Sequence, residues 1–234
     1  MAKKKMEKPT VIEETAFDVK QFLNIKEIEY RTKSQKFAVK NINEHLITFL
    51  VGPAGCAKTF LGVYTALKLL KEDKKVERII IARPAVTTEE ELGFLPGDLH
   101  EKLLPFMLPV YDQFVKLIGV EDFKILKEKN IIESVSFAHM RGRNFYNCVV
   151  ILDEMQNATP QQMKLVLTRL GSNCKAIVTM DPSQCDLPDK VFSASDPEEL
   201  ERFEGIEKIK IFDFSDDDIV RSEIVKLVVK AYDG

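Results

Sequence analysis

Histidine, paired cysteine and long apolar runs are all scarce in this chain, and each shortage removes a class of function. With His45, His100 and His139 alone, a histidine-rich metal centre has little to draw on. Cys56, Cys148, Cys174 and Cys185 show no C-x-x-C spacing, and three of them adjoin predicted strands or a glycine-rich loop. Free, buried or semi-buried thiols in a reducing cytoplasm are expected rather than disulfides or zinc ligands. No apolar run approaches the roughly 18 residues of a membrane span, and the opening MAKKKMEKPTVIEE has a basic head with no apolar segment after it. Neither a secretory signal nor a membrane partner is expected. An excess of one charge is missing too: 34 Lys and Arg face 37 Asp and Glu, a net −3, so any nucleic-acid contact needs a local patch.

What is present suits one substantial core. The 234 residues are 45% apolar and 30% charged, as in a globular protein. Residues 1–10 read as a basic tail, and the stretch from there to about Tyr30 mixes apolar and acidic positions without a period; residues 1–30 are assigned as an N-terminal extension and residues 31–234 as the domain. The chain is organised around Ile47 to Ala66, ITFLVGPAGCAKTFLGVYTA. Apolar and β-branched residues ending at Val51 predict a buried parallel strand, Gly52, Pro53, Ala54 and Gly55 a turn, and Lys58-Thr59 the start of an apolar-periodic helix.

Such a loop can hold phosphate, because successive backbone N–H groups curl around it and the helix N-terminus adds its dipole. Lys58 then reaches the β- and γ-phosphates and the Thr59 hydroxyl ligates Mg²⁺. The pattern G-x-x-x-x-G-K-[ST] is met except that Ala57 stands where glycine is usual. A methyl is comfortable there at negative φ and resisted at positive φ.

Ahead of this loop, Thr32 or Ser34 can cap a helix with Phe37, Val39, Ile42 and Leu46 at helical intervals. Gln35, in its first turn, is either an adenine-reading amide or a surface glutamine. Behind the loop, RIIIA predicts a strand from Arg78 to Ala82, with Arg83 at its carboxyl end. Residues 83–98 form a long acidic connection ending in GFLPGD. Leu99 to Gly119 is amphipathic, and Pro105 and Pro109 are expected to bend or interrupt it. A short helix over 120–128 and a strand IIESVSFA follow. The basic, aromatic HMRGRNFYN offers Arg141 and Arg143 for phosphate with Phe145 or Tyr146 for stacking, or else is a loop with two solvated arginines.

The second organising element is VVILDEMQN, a buried strand running into Asp153-Glu154. Carboxylates directly behind so apolar a strand are costly unless they meet a cation or an edge. Asp153 suits Mg²⁺, and Glu154 suits orienting or deprotonating a water. Thr159, Pro160 and Gln162 form a capping box for a helix with Met163, Val166, Leu167 and Leu170 inward. Arg169 sits near that helix end, as a transferable cation or a simple dipole partner. The strand KAIVTM enters Asp181, and Gln184 stands at its exit, where an amide senses a γ-phosphate and its water. An acid-rich helix near 197–202, the strand IEKIKIFDF and a final helix carrying Arg221 complete the pattern. Strands interleaved with helices predict an α/β fold, with a mainly parallel sheet covered on both faces.

The strings GPAGCAKT, ARPAV, LGFLPGDLHEKLLPF, AHMRGRNF, ILDEMQNATPQQMKLVLTRLG, DPSQCDLP and FSDDDIVRSEIV closely resemble the PhoH-like family of P-loop ATPases, from about Gln35 to Tyr232. The resemblance implies a three-layer RecA-like P-loop NTPase domain, similar to the ATPase core of superfamily 1 helicases, that hydrolyses ATP with Mg²⁺. By position it implies adenine contact by Gln35, a phosphate loop from Gly52 through Cys56, Ala57 and Lys58 to Thr59 with Phe60 behind it, and a site arginine at Arg83. It also implies the acidic pair Asp153-Glu154 and γ-phosphate sensing by Asp181 and Gln184. Some relatives act as RNA helicases, so single-stranded RNA or DNA is an expected partner. Two departures stand out: Ala57 for glycine, and Thr179-Met180-Asp181 for T-G-D. The compact form resembles versions carried by bacteriophages, which implies the cytoplasm of a host cell.

Helicase-like hydrolysis needs an arginine against the γ-phosphate. In one domain it must come from a neighbour, which predicts a homo-oligomer, a closed ring such as a hexamer, with Arg169, Arg143 or Arg221 donated in trans. Two alternatives remain open from sequence: an ATP-gated binding module with little turnover, and a small-molecule kinase.

Overall fold

The computed structural model describes residues 18–84, 99–188 and 190–220, together with 224, 225, 228 and 231. A short helix α1, Val19–Phe22, leads into α2, Lys33–Glu44. Thr32 is the cap of α2, its hydroxyl accepting the Gln35 N–H at 3.3 Å. Strand β1, Ile47–Val51, is followed by α3, Lys58–Glu72, and β2, Arg78–Ala82, all as the apolar pattern predicts. Next come α4, Leu99–Ile118, α5, Val120–Glu128, and β3, Ile132–Ser134. A helical turn α6, Phe137–Met140, precedes β4, Cys148–Leu152. The remainder is α7, Pro160–Leu167, β5, Cys174–Met180, α8, Pro197–Glu201, and β6, Ile209–Asp213.

The described strands form one parallel sheet in the order β3-β2-β4-β5-β1-β6. Alternation along each strand sorts its side chains onto two buried faces. Leu50, Ile79, Ile81, Val149, Ile151 and Ile177 join α2, α3 and α4 in one core. Phe49, Ile80, Val150, Leu152 and Val178 join Met155, Met163, Val166 and Phe145 in the other. This is the three-layer α/β architecture expected of a RecA-like P-loop domain.

Several local expectations need correcting. Pro105 and Pro109 lie inside α4 without ending it. Each proline costs about 3 kcal/mol in a helix interior, while burying a large apolar side chain returns about 1.5–3 kcal/mol. With Met107, Val110, Tyr111, Phe114, Leu117 and Ile118 all buried, packing wins. The strand expected over IIESVSFA stops at Ser134, because residues 137–140 turn helical. The strand expected over IEKIKIFDF is confined to Ile209–Asp213. Cys56, Cys148 and Cys174 are buried free thiols, but Cys185 is exposed. The GFLPGD segment and Arg221 lie outside the described residues.

Residues 18–30 of the extension pack on the domain. Leu23 and Ile25 are buried in the first core, and Lys26 N–H donates to Leu117 O at 2.9 Å. Glu27 accepts from Tyr64 at 2.8 Å and from Lys68 at 3.0 Å.

Phe145 is a further correction. It is fully buried in the second core, so its ring is unavailable to a base. Tyr146, beside it, is 49% exposed and keeps that option. Phe145→Ala should therefore lower unfolding free energy by about 3–5 kcal/mol in urea denaturation; a loss below about 0.5 kcal/mol, the range of ordinary surface substitutions, would contradict its place in the core.

Candidate nucleotide site

Strands β2, β4, β5 and β1 end side by side, and each delivers residues to one edge. Arg83 follows β2, Asp153 and Glu154 follow β4, Asp181 follows β5, and the glycine-rich loop follows β1. This is the carboxyl edge of the sheet, where open parallel folds bind ligands.

The loop starts at Gly52 with φ 142°. A Cβ there would sit 2.8 Å from both the Cβ and the carbonyl oxygen of Phe214, so only glycine lets the loop pass the end of β6. Segment 214–220 then clasps the loop: Phe214 N–H donates to Val51 O at 2.8 Å, and Val220 N–H to Gly55 O at 3.1 Å. Burial works against the Asp218 carboxylate, but hydrogen bonds from Ser34, Ser215 and Thr32 outweigh it and hold that group below the usual range. The clasp is thereby tied to the N-terminus of α2.

Ala57 adopts φ 69° and ψ 25°, the left-handed conformation. The condition under which a methyl is comfortable is not met, and an L-residue there carries roughly 1–2 kcal/mol of strain. The conformation nonetheless starts α3 correctly, since Leu61 N–H bonds Ala57 O at 2.9 Å. Lys58 Nζ donates to the carbonyls of Gly52 at 2.5 Å and Pro53 at 2.8 Å. Burial pushes its ammonium below the usual range, while Asp181, Glu154 and Asp153 draw it back. A phosphate oxygen would replace neutral carbonyls with an anion at this cation. Cys56 is fully buried under the loop, which pushes its thiol up. Phe60 packs partly against the core behind it.

Asp153, 1% exposed, is the focus. Its Oδ1 accepts the hydroxyls of Thr59 and Thr179, both at 2.7 Å. Arg83 lies 3.9 Å from Asp153 Oδ2 and 3.9 Å from Glu154 Oε1, and is anchored on Phe106 O at 3.1 Å. Adjacent hydroxyl and carboxylate oxygens at Thr59 and Asp153 suit a hard divalent cation. Among the described residues no group of three or more His, Cys, Asp or Glu side chains could hold a metal, so such a cation would complete its shell with phosphate and water.

Glu154 is also left-handed, at φ 57° and ψ 42°. This turn explains how consecutive carboxylates reach the same arginine, when strand geometry alone would send them to opposite faces. Gln156 Nε2 donates to Glu154 Oε2 at 2.5 Å, and Gln156 Oε1 accepts the Asp181 N–H at 3.0 Å. Asp181 Oδ1 accepts Ser183 N–H and hydroxyl at 3.1 and 2.6 Å. Its buried Oδ2 has no hydrogen-bond partner.

The family follows from this constellation together with the sequence that builds it: residues 27–233 match the family model described as PhoH-like protein. The chain belongs to the PhoH-like family. It is 42% identical over 208 residues to the PhoH-like protein of Bacillus subtilis (strain 168), covering 89% of this chain and 65% of that protein. It is 44% identical over 204 residues to Protein PhoH of Escherichia coli (strain K12), covering 86% and 57%. The chain thus spans 57–65% of the length of these PhoH-like relatives. Among solved structures, Pif1 helicase from Candida albicans aligns with TM-score 0.44 at 13% identity over 87% of this chain and 43% of that one.

Other expected PhoH-like site residues lie less centrally. Gln35 is 4% exposed, and its Oε1 accepts the Arg31 N–H at 2.9 Å. The amide oxygen thus closes the start of α2. The Gln184 side chain is exposed, its backbone carbonyl lying 3.4 Å from Gln156 Nε2. Arg143 pairs with Glu133 through two bonds of 2.7 and 3.1 Å, so its fork is already committed. Arg141 is exposed. Arg169 is half-buried beyond the end of α7, with Nε buried and unpartnered.

Two residues escaped the sequence reading. Thr179 occupies the position of the unusual T-M-D triplet, and Gln156 stands two residues past the acidic pair; proximity in sequence was the only signal for either. Ala57→Gly should relieve the loop strain and, after the greater unfolded-state freedom of glycine is subtracted, stabilise the protein by roughly 0.5–1 kcal/mol. Thermal and urea unfolding measure this; destabilisation would mean that the methyl contributes contacts worth more than the strain.

Proposed function

We propose that this PhoH-like chain is a Mg²⁺-dependent ATPase, and the observation that carries this reading is the 2.7 Å contact between Thr59 and Asp153 across the end of β5. Thr59 and Asp153 would hold the metal, which when bound supplies charge neutralisation at the β- and γ-phosphates. Lys58 turns from its loop carbonyls to the phosphate oxygens, and the backbone N–H groups around Gly55 to Thr59 line the same anion. Glu154, with Oε2 held by Gln156, keeps Oε1 to orient the attacking water and accept its proton. Asp181, next to the Gln156 amide, links the γ-phosphate position to Glu154. Gln35 contributes the base-facing amide.

Glu154→Gln should retain ATP binding and lower phosphate release by about 10²–10⁴-fold. Release at the parental rate, at matched ATP occupancy, would remove Glu154 from this role. An absence of ATP binding by the parent would remove the reading itself. Intact ATP after long single-turnover incubation would favour the ATP-gated module, to which the strain at Ala57 lends support. ADP production only with an acceptor would favour the kinase.

We further propose a cytoplasmic ring, in the host cytoplasm if phage-encoded, that handles single-stranded RNA or DNA through Arg141 and Tyr146. No helix among the described residues is long and apolar enough to cross a membrane. The missing γ-phosphate arginine comes from a neighbour. Arg169 is the preferred donor because its Nε lacks a partner, whereas Arg143 would first have to leave Glu133; Arg221 is the remaining candidate. Mixing Glu154→Gln subunits with Arg169→Ala subunits should restore ATPase above either parent, because one interface regains both groups. Monomer mass with full turnover and no recovery on mixing would defeat the ring.

A further inference from the structure

The outer face of α2 carries a feature that nucleotide chemistry does not use. Lys33, Lys36, Phe37 and Lys40 recur at helical spacing on one exposed stripe, while Ala38, Val39 and Ile42 face the core. Tyr30, just before the helix, is 38% exposed and Phe37 is 54% exposed. With Asn43 these side chains line a groove of about 590 Å³. Single exposed apolar residues need no explanation. Two aromatic rings set among three lysines in one groove are a different arrangement, above all in a chain of net charge −3.

Charge restricts the occupant. Glu44 ends the groove and pairs with Lys40 at 3.8 Å, and Glu29 flanks its start. Between them Arg31, Lys33 and Lys36 keep the surface basic. Lys33 and Lys40 stand seven positions apart, roughly 10 Å of helix. That length matches a few consecutive backbone charges of an extended polyanion. Exposed rings add a requirement that phosphate alone does not meet, namely flat groups able to stack. Duplex nucleic acid hides its base faces, whereas a single strand offers both bases and phosphates.

We infer that the Tyr30–Lys40 face of α2 is a nucleotide-independent binding site for single-stranded nucleic acid. It is separate from the Arg141 surface and does not depend on ATP hydrolysis. Its placement also connects it to the phosphate loop. Thr32 and Ser34 at the start of α2 bond Asp218, and the same segment holds Gly55 through Val220. A strand seated on α2 therefore lies one hydrogen-bonded network away from the loop.

The test is fluorescence anisotropy of a labelled 20-nucleotide oligothymidylate on the full chain, without ATP, across a salt series. Lys33→Ala/Lys36→Ala/Lys40→Ala should weaken binding and reduce the salt slope by about 2, from roughly 0.7 per phosphate contact. Phe37→Ala and Tyr30→Ala should each weaken binding about 5-fold or more with the slope unchanged, since base stacking carries no counterions. These positions lie outside the hydrolytic machinery, so basal ATPase should stay at the parental rate, and circular dichroism should confirm the parental fold. Parental affinity and slope in the triple lysine variant would overturn the site, as would an absence of oligonucleotide binding by the parent. Parental affinity in both aromatic variants, or equal competition by inorganic polyphosphate or poly-glutamate of matched charge, would overturn the assignment to single strands. An Arg141→Ala arm that alone removes binding would locate the strand at the other surface and overturn this one.

Discussion

The site depends on one buried carboxylate. Removing the Asp153 charge from water costs several kcal/mol unless partners compensate, and the compensation comes from separate elements: Thr59 on α3, Thr179 on β5 and Arg83 beyond β2. Hydrogen bonds to an ionised group contribute about 1.5–3 kcal/mol each, enough for the two hydroxyls to offset much of that cost. The sheet register makes their meeting possible, with Val51 opposite Met180 and Leu152 opposite Val178. A one-residue slip of β4 or β5 would turn the whole set to the wrong face. The geometry around Asp153 and the strand pairing are thus one constraint.

Among the described residues, the left-handed positions held by neither glycine nor asparagine, the two types that tolerate that conformation, both fall at this edge. Ala57 and Glu154 are both left-handed without being glycine, one at the entry to α3 and one at the exit from β4. Such conformations persist only where the surroundings over-determine them. At Ala57 the surroundings are the clasp over Gly55 and the first turn of α3; at Glu154 they are Thr179, Gln156 and Arg83. The outcomes differ. Left-handed Glu154 brings a second carboxylate to the arginine, whereas at Ala57 the methyl adds cost to a bend that glycine would make freely.

Legibility from sequence follows the physics of each signal. Strands β1, β2 and β4 are visible because both sheet faces are buried, which makes their residues largely apolar and bounds them with turn or acidic residues. The α7 capping box was visible because Thr159, Pro160 and Gln162 act within one turn. Phe145 was misjudged because aromatic character among arginines does not reveal burial; the bridge between Phe145 and Leu170 draws it under α7. Interruption of α4 at its prolines is not seen, because sequence shows their local cost and not the six buried side chains that oppose it. Gln156 and Thr179 act through partners 25 and 26 residues away, distances at which periodicity carries no information.

Asp218 carries this long-range logic furthest. It lies in an acid-rich triplet that on composition alone belongs on the surface, yet it is 6% exposed. Its bonds to Ser215 fold the end of β6 back over the loop, and its bonds to Thr32 and Ser34 fix the start of α2 to the same point. Gln35 occupies that first turn, and Gly55 hangs from Val220. The start of α2 and the glycine-rich loop are therefore joined through one carboxylate, although Gln35 and Gly55 stand 20 positions apart with β1 between them. The link runs through hydrogen bonds of about 3 Å in the segment after β6 rather than through the sheet. This link is a property of the chain after β6, which acts here through hydrogen bonds to the start of α2 and to the loop.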